Sequence, residues 1–375
     1  MAVSTIGASG LDSAVSQIGK NLIHNGAMLV DQKSADTRTG LGAADTHICD
    51  RWRGGANGSP SARWTISVET SGGPATGTRW LKCLNTTADA SPGSAEAFTL
   101  RQALEAQNLQ SLVTSGTLGA MTISGKVIAH ADGASSISFP AKLACGVTTS
   151  DGTARQFYTD ITFAAADTWT DFSITIPADG TATIDNNNGQ GLNFQFGMYG
   201  GSGRVAATAT WENDGADSIT ANSDNWADAT NNYIGFTQIQ IEAGTVATDF
   251  EHEDYGTTLA KCQRYLFRIN QPASSYEAIG SGFARTATQC IISMHMDVPM
   301  RVEGTLSAGG TLADIDNRHA ADDEDTTALS SYAPGTGVYL MAITIGAGNF
   351  TVGEGVVSWI KGGSNSTFIQ VTSEL

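Results

Sequence analysis

The chain has 375 residues, of which 43 are glycine and 15% are charged, and its formal net charge at pH 7 is −17. A surface for nucleic acid or for an anionic membrane needs clustered lysine and arginine, so this charge argues against both partners. No stretch reaches the roughly 18 apolar residues of a membrane-spanning helix, and the hydrophobic content of 41% suits a protein with a buried core.

The cysteine pattern and the N-terminus both bear on the compartment. The cysteines are widely spaced and form no C-x-x-C pair, so we expect buried thiols and neither disulfides nor a zinc site. The segment MAVSTIGASGLDSAV lacks the basic start and apolar core of a secretory signal, so we expect assembly in a reducing cytoplasm. The five cysteines are Cys49, Cys83, Cys145, Cys262 and Cys290.

Residues 1–20 carry apolar side chains at helical spacing, which predicts one short amphipathic helix. A helix this short needs a packing partner. Two interpretations stay open: the helix packs on the domain that follows, or it attaches the chain to other proteins. The residues that define the pattern are Ser9 as the cap, followed by Leu11, Ala14, Val15, Ile18 and Leu22.

Residues 21–250 show short strands separated by turn signals such as Asp132-Gly133 and Asn188-Gly189. Many short strands with this punctuation predict a β-sandwich of the jelly-roll kind. One helical interruption is predicted between Leu104 and Leu112. The predicted strands cover residues 63–68, 79–84, 121–129, 168–176, 192–199, 205–211 and 233–241.

Residues 251–268 are predicted to form a helical linker, because Leu259, Cys262, Leu266 and Phe267 recur at spacings of about three to four. Residues 269–375 return to a strand pattern and are predicted to form a second, smaller β domain. Its predicted strands cover 276–285, 288–296, 337–345 and 356–361, and the acidic run 320–326 is predicted to be a loop. The fold class is therefore all-β: a jelly-roll sandwich, a smaller C-terminal β domain and a short N-terminal helix.

Two motifs flank the first domain. Its end carries Ile241-Glu-Ala-Gly-Thr-Val-Ala-Thr-Asp-Phe-Glu251 followed by Leu259-Ala-Lys-Cys-Gln-Arg-Tyr265, and its start carries Asn21-Leu-Ile-His-Asn-Gly-Ala-Met28 with Asp50-Arg-Trp52. Together these motifs resemble the carbohydrate-binding-like jelly-roll domain of bacteriophage tail-fibre and related virion structural proteins. The resemblance covers residues 21–267. It implies a virion protein that forms a homotrimer and contacts other virion proteins through its N-terminus.

Sugar binding would need aromatic faces for the rings and polar groups for the hydroxyls. The polar segment between Trp211 and Asn232 is longer than a sandwich turn requires, and long loops on a rigid scaffold are frequent recognition sites. Trp52, Trp64, Trp80 and Trp169 lie in strand patterns and are predicted to be core. The predicted ligand-binding residues are Trp211, Glu212, Asn213, Trp226 and Tyr199.

No catalytic or metal-binding motif stands out. The many acidic residues include no pair marked by a motif, and the histidines show neither H-E-x-x-H spacing nor a nucleophile elbow nearby. We therefore predict no enzyme activity and no cofactor. Asp185 and Asn187, in Asp185-Asn-Asn-Asn-Gly189, form a weak calcium motif, but the motif departs from the EF-hand pattern at Gly189 and a plain turn is the favoured interpretation.

The sequence thus favours a tail fibre or fibre-like protein of a phage virion that presents a β domain to a host-surface glycan. Two alternatives remain: a head fibre or decoration protein of the capsid, and a tailspike that degrades polysaccharide. A tailspike built on a β-helix would show repeats of 20 to 50 residues, and this chain has none.

Overall fold

The computed structural model describes residues 20–33, 37–41, 46–58, 63–320, 322–346, 348–363 and 366–375. These residues divide into two compact units, with the division between Asp254 and Tyr255; Gln32 and Lys33 belong to the second unit. The predicted helix over residues 1–20 lies outside the described residues, apart from Lys20. Nearly all regular structure is strand, as the fold class predicted.

The first unit contains the strands up to Asp254. Their bounds in the first half are β1 Thr37–Leu41, β2 Thr46–His47, β3 Arg53–Asn57, β4 Trp64–Glu69, β5 Trp80–Asn85, β6 Ala97–Glu105, β7 Val113–Thr114, β8 Thr117–Leu118 and β9 Met121–His130. In the second half they are β10 Ala141–Thr149, β11 Arg155–Phe163, β12 Thr170–Ile176, β13 Gln190–Gly200, β14 Val205–Ala206, β15 Glu212–Asn213, β16 Ile219–Thr220 and β17 Tyr233–Ala243.

Two sheets form a jelly-roll β-sandwich. Among the described residues, six strands give one sheet in the order β1-β4-β5-β17-β9-β12, and seven give the other in the order β15-β11-β10-β13-β6-β3-β2. The main ladders are antiparallel. Side chains alternate between the two faces of a strand, so each sheet turns one apolar row inward.

Aromatic rings fill the space between the sheets. Trp64 of the six-stranded sheet stacks on Phe98 of the seven-stranded sheet, with ring centroids 4.8 Å apart. Phe196 and Phe236 make a second stacked pair across the interior at 4.2 Å. All four side chains are fully buried, and they join the two sheets into one core.

The segment 201–232 crosses the outer face of the seven-stranded sheet and then, from Trp226, enters the core at one end of the sandwich. Tyr158 points outward from β11, yet it is buried beneath this segment, and its hydroxyl donates to the carbonyl of Asp217 at 2.7 Å. A Cβ atom at Gly197 would lie 1.7 Å from the carbonyl oxygen of Ser218, so the crossing backbone lies directly on β13. We call this segment the crossing segment.

Two predictions in the first unit need correction. The strand predicted over residues 205–211 is reduced to β14, because the chain there pairs only briefly, in parallel, with β16. The helical interruption is present, but as a 3-10 helix over Ala106–Leu112 that buries Leu109 and Leu112. The strands predicted near Trp64, Trp80, Met121 and Tyr233 are confirmed within one or two residues.

The second unit contains one α-helix and a closed barrel. In the described residues the barrel has the strand order β19-β20-β24-β23-β22-β25, and β18, β26 and β21 form a separate sheet. A 3-10 helix over Leu312–Asp314 precedes β22. The bounds are α1 Tyr255–Gln263, β18 Leu266–Asn270, β19 Glu277–Thr286, β20 Gln289–His295, β21 Thr305–Gly309, β22 Ile315–Arg318, β23 Asp323–Ala333, β24 Val338–Ile345, β25 Gly355–Ile360 and β26 Phe368–Thr372.

The acidic run 320–326 was wrongly predicted to be a loop, because residues 323–326 begin strand β23. Asp323 and Asp325 point to solvent from an exposed strand face, where Arg318 and Lys361 pair with them. The predicted linker helix also ends earlier than expected. Leu266 and Phe267 are buried residues of strand β18 and do not belong to the helix.

The five cysteines, all within the described residues, are free and buried, as predicted. Burial in an apolar core raises the pKa of the Cys83 and Cys145 thiols, which keeps them protonated at neutral pH. No helix in the described part of the chain is long and apolar enough to cross a membrane.

The Trp64 stack provides a test of the core. We expect Trp64→Ala to lower the free energy of unfolding of the first unit by about 3–5 kcal/mol, because it leaves a large cavity between the sheets. Denaturant unfolding followed by circular dichroism measures the loss. Trp64→Phe keeps a ring against Phe98 and should lose less; equal losses for the two variants would contradict the stacking account.

Candidate functional site

The outer face of the six-stranded sheet carries an aromatic cluster. Leu81 and Cys83 of β5 point into the core, so alternation turns Trp80 and Lys82 outward. The register places Tyr233 of β17 opposite His130 of β9 on the same outer face. On β12, Phe172 packs against the core and Asp171 points outward. Trp169, just before that strand, lies on the outer side with Asp171.

We call this group the aromatic site and define it as Trp80, Lys82, His130, Asp167, Trp169 and Tyr233. Trp169 meets Trp80 edge to face at 5.4 Å, and the His130 ring stacks on Tyr233 at 5.1 Å. Lys82 places its Nζ 4.4 Å from the centre of the Tyr233 ring, within cation–π range. Trp80 is mostly covered, whereas Trp169, Tyr233 and His130 remain partly exposed.

Backbone contacts fix the two tryptophans. The Trp80 indole N–H donates to the carbonyl of Ser71 at 2.8 Å, and that of Trp169 donates to the carbonyl of Gly72 at 2.9 Å. Beneath the Trp80 ring lies Gly235, where a Cβ atom would approach the ring to 2.6 Å. The glycine therefore lets a large ring lie flat on the sheet, and the loop 70–77 is tied to both tryptophans.

Asp167 organises the polar side of the aromatic site. Its carboxylate lies 2.9 Å from His130 Nδ1 and accepts a hydrogen bond from the Tyr233 hydroxyl at 3.1 Å. Its backbone φ of 52° lies in the left-handed region, which is sparsely populated by residues other than glycine and is frequent at functional sites. Burial, together with the hydrogen bond to Asp167, raises the pKa of Tyr233 to about 12.

This arrangement suits binding. Partly exposed rings offer apolar faces, and His130, Asp167 and Lys82 offer donors and acceptors beside them, which is the combination a sugar ring needs. With Nδ1 turned to Asp167, the Nε2 atom is the ring nitrogen of His130 left to contact another group.

Two predicted ligand-binding residues belong to the core. Trp226 has 0% exposure, its indole N–H donates to the carbonyl of Lys142 at 3.0 Å, and its ring packs on Phe163 at 5.5 Å. Tyr199 is likewise buried and lies 6.2 Å from the Trp64 ring. The prediction that Trp226 and Tyr199 contact a sugar is therefore wrong, because neither ring reaches the surface.

The other three predicted residues lie together at the edge of the seven-stranded sheet. Trp211 is partly exposed, but its indole N–H donates to the carbonyl of Pro177 at 2.7 Å and its ring leans on Phe157. Glu212 accepts a hydrogen bond from Gln156 at 3.0 Å, and Asn213 accepts one from Arg155 at 2.9 Å. These contacts give the three residues a role in holding the crossing segment.

The calcium motif forms a turn whose side chains hydrogen-bond within the turn and whose backbone also contacts Gln107 and Gln110. Asn187 Oδ1 accepts a hydrogen bond from the Gly189 N–H at 2.7 Å, and Asp185 Oδ2 accepts one from the Asn187 amide at 3.3 Å. In the described part of the chain, no group of three or more His, Cys, Asp or Glu residues could hold a metal ion.

The sequence contained a signal for the aromatic site. The even-numbered residues of β12, Phe172, Ile174 and Ile176, face the core. Trp169 is odd-numbered, like Asp171 and Ser173, so alternation places it on the polar outer face. Trp80 likewise alternates in step with Lys82 and points to the same outer face. Trp169 was wrongly predicted to be core, because residue type was given more weight than alternation. Trp80 is buried, as predicted, but on the outer face of the sheet and not between the two sheets.

Comparisons with known proteins found similarity to solved structures at low identity and low TM-score. No family model and no curated protein matches the chain. Among solved structures, the enzymatically active domain of bacteriophage CBA120 tailspike protein 4 is similar over 60% of this chain and 22% of that chain, at 8% identity and a TM-score of 0.31. The match thus spans less than a quarter of the tailspike chain.

Carbohydrate-binding modules are also similar. The C-terminal family 22 module of Clostridium thermocellum Xyn10B matches 62% of this chain and 99% of its own, at 14% identity and a TM-score of 0.29. The module TmCBM61, in complex with β-1,4-galactotriose, matches 60% and 99% at 8% identity and a TM-score of 0.27. These TM-scores are too low to carry any argument about function.

Gly235 gives a test of how the aromatic site is built. We expect Gly235→Ala to displace the Trp80 ring, to change the near-ultraviolet circular dichroism of the tryptophans and to lower stability by about 1–3 kcal/mol through overpacking. Gly133→Ala is the matched control, because no heavy atom lies within 4 Å of the added methyl group. An unchanged spectrum for Gly235→Ala would contradict the close approach.

Tyr233 gives a pH test. Its phenol should ionise at about pH 12 rather than the usual 10. Because the folded-state pKa is the higher one, its stabilising contribution is complete below pH 10 and is lost as the pH rises through 12. The difference in phenolate absorbance between the native protein and Tyr233→Phe isolates this titration. Asp167→Asn should lower the midpoint, and a native midpoint near 10 would refute the contact.

Proposed function

We propose that this protein is a virion structural protein of a tailed bacteriophage, a tail fibre or fibre-like protein, that attaches to a glycan on the host surface. We place the glycan contact at the aromatic site. The observation that carries this proposal is the arrangement of Trp169, Tyr233 and His130, partly exposed on one rigid sheet face beside the polar side chains of Asp167 and Lys82.

The physical argument starts from the geometry of a pyranose ring, which has apolar C–H faces and hydroxyls around its edge. Such a ring is held by one aromatic face and a few fixed donors and acceptors. Trp169 is anchored by Gly72, and His130 is anchored by Asp167, so both groups are positioned before a ligand arrives. Positioning in advance lowers the entropy lost on binding.

The virion setting is supported by the sequence motifs at both ends of the first unit. From the same resemblance we propose a homotrimer that is assembled in the host cytoplasm and contacts other virion proteins through its N-terminus. The second unit adds a physical reason for self-association: Phe283 and Tyr332 are about half exposed on the outside of the barrel, and Val357 is also exposed there. Exposed apolar side chains of this size are frequent at interfaces between subunits.

We propose binding without hydrolysis. A glycosidase needs one protonated carboxyl as a general acid and a second carboxylate close by. On this sheet face the Asp167 carboxylate contacts His130 and the Tyr233 hydroxyl, and Asp171 forms an ion pair with Lys126. Both carboxylates are therefore engaged by neighbouring side chains, an arrangement that suits the positioning of polar groups for binding.

Glycan binding is tested with Trp169→Ala. On an array of bacterial, plant and fungal polysaccharides, we expect the native protein to bind at least one polymer and Trp169→Ala to bind it about tenfold more weakly, through loss of ring stacking. Trp211→Ala is the control and should bind as the native protein does. Equal loss in both variants, or no binding by the native protein, would contradict the proposal.

The virion setting has its own test. Antibodies against the protein should label the tail of phage particles in electron micrographs. Label on the head would favour the head-fibre or decoration alternative, and unlabelled particles would refute a virion protein.

A further inference from the structure

A groove lies beside the aromatic site on the same sheet face. It has a volume of about 700 Å³ and runs between β9, β12 and the segment 247–252. The lining residues that matter here are Ser124, Lys126, Asp171, Ser173, Gln238 and Phe250. The described wall of the groove belongs entirely to the first unit.

The groove and the aromatic site share two strands. The residues of β9 that point outward are Ser124, Lys126, Ile128 and His130. The groove and the His130 ring therefore lie along the same face of this strand. On the β12 side, Asp171 and Ser173 continue the row that begins at Trp169. Six residues of strand span about 20 Å at roughly 3.3 Å per residue. That length exceeds a single sugar ring.

A β-bulge aims Gln238 at the groove. The pairing of β17 with β9 shifts register between Thr237 and Gln240, and Gln238 has a left-handed φ of 55°. Bulges re-aim side chains and are enriched beside binding sites. Asp167 of the aromatic site shares this sparsely populated conformation, so two of the strained positions of the chain lie along one face.

The wall opposite β12 is fixed in place. The Thr248 N–H donates to Glu242 Oε1 at 2.8 Å, and the Glu251 N–H donates to Gln240 Oε1 at 2.9 Å. The Phe250 ring meets His252 edge to face at 5.0 Å. The groove therefore offers an aromatic ring of its own.

The groove is lined by one lysine, Lys126, and two aspartates, Asp171 and Asp249, so it carries no excess of lysine and arginine. Lys126 and Asp171 form an ion pair across it, and on the adjoining aromatic site Lys82 is accompanied by Asp167. No cluster of cations is present among the described residues of this face, and the chain as a whole carries a net charge of −17. An anionic polymer would gain nothing from this field.

We propose that the groove extends the aromatic site, so that this face binds several consecutive residues of an uncharged linear polysaccharide. The chain runs along β9 and β12, with Trp169 and Phe250 packing against sugar rings and Gln238 and Ser124 contacting hydroxyls between them. This inference rests on the proposed glycan binding and adds the length and charge class of the ligand.

The test uses ligand length. For each polymer that the array identifies, oligosaccharides from the disaccharide to the hexasaccharide are titrated calorimetrically into the native protein, Ser173→Trp and Thr175→Trp. Ser173 is an exposed groove residue, so a tryptophan there fills the groove. Thr175 is exposed on the same strand outside the groove, and its variant is the matched control.

We expect affinity to rise about tenfold or more from the disaccharide to the hexasaccharide in the native protein and in Thr175→Trp. In Ser173→Trp the disaccharide should bind normally and the gain with length should be lost. Equal affinity for all lengths in the native protein would overturn the groove proposal and leave the aromatic site intact. Binding by no member of the array would overturn both, and binding confined to anionic polymers that weakens with salt would overturn the charge class.

Discussion

The contact between the crossing segment and the outer face of the seven-stranded sheet determines which outer face of the sandwich can bind a ligand. A sandwich has two outer faces, and here Tyr158, Gln195 and Gly197 of one face are used to hold the chain's own backbone. Tyr158 is fully buried although it points away from the core. The outer face of the six-stranded sheet therefore carries the candidate binding residues, and the segment predicted to recognise a ligand is a structural cover.

The binding face depends on positions that a purely structural sheet would not need. Asp167 and Gln238 adopt left-handed backbone conformations, which cost of order 1–3 kcal/mol each at residues other than glycine. Gly235 has no side chain, which leaves room for the Trp80 ring against the sheet. Local conflicts of this kind are expected where function competes with stability, and the aromatic core around Trp64 and Phe196 offsets them.

Much of the fold followed from the sequence, because alternation and turn residues act locally. The strands at Trp80, Met121 and Tyr233 were placed within one or two residues. The site was not found, for two reasons. Trp226 lies among polar residues in the sequence, and it is buried by long-range contacts with Phe163 and Lys142 that no local pattern shows. Trp169 alternates in step with Asp171, which places it on the outer face. The sequence showed this pattern, but residue type was given more weight.

The central claim is that the six-stranded sheet presents the binding face. Hydrogen exchange of the native protein, with and without a polysaccharide identified by the array, tests it most directly. We predict added protection in the loop 70–77 and in residues 164–175, around the aromatic site and the groove, with little change in the crossing segment. Protection confined to residues 201–232 would contradict the claim and would indicate that the ligand binds at the seven-stranded sheet.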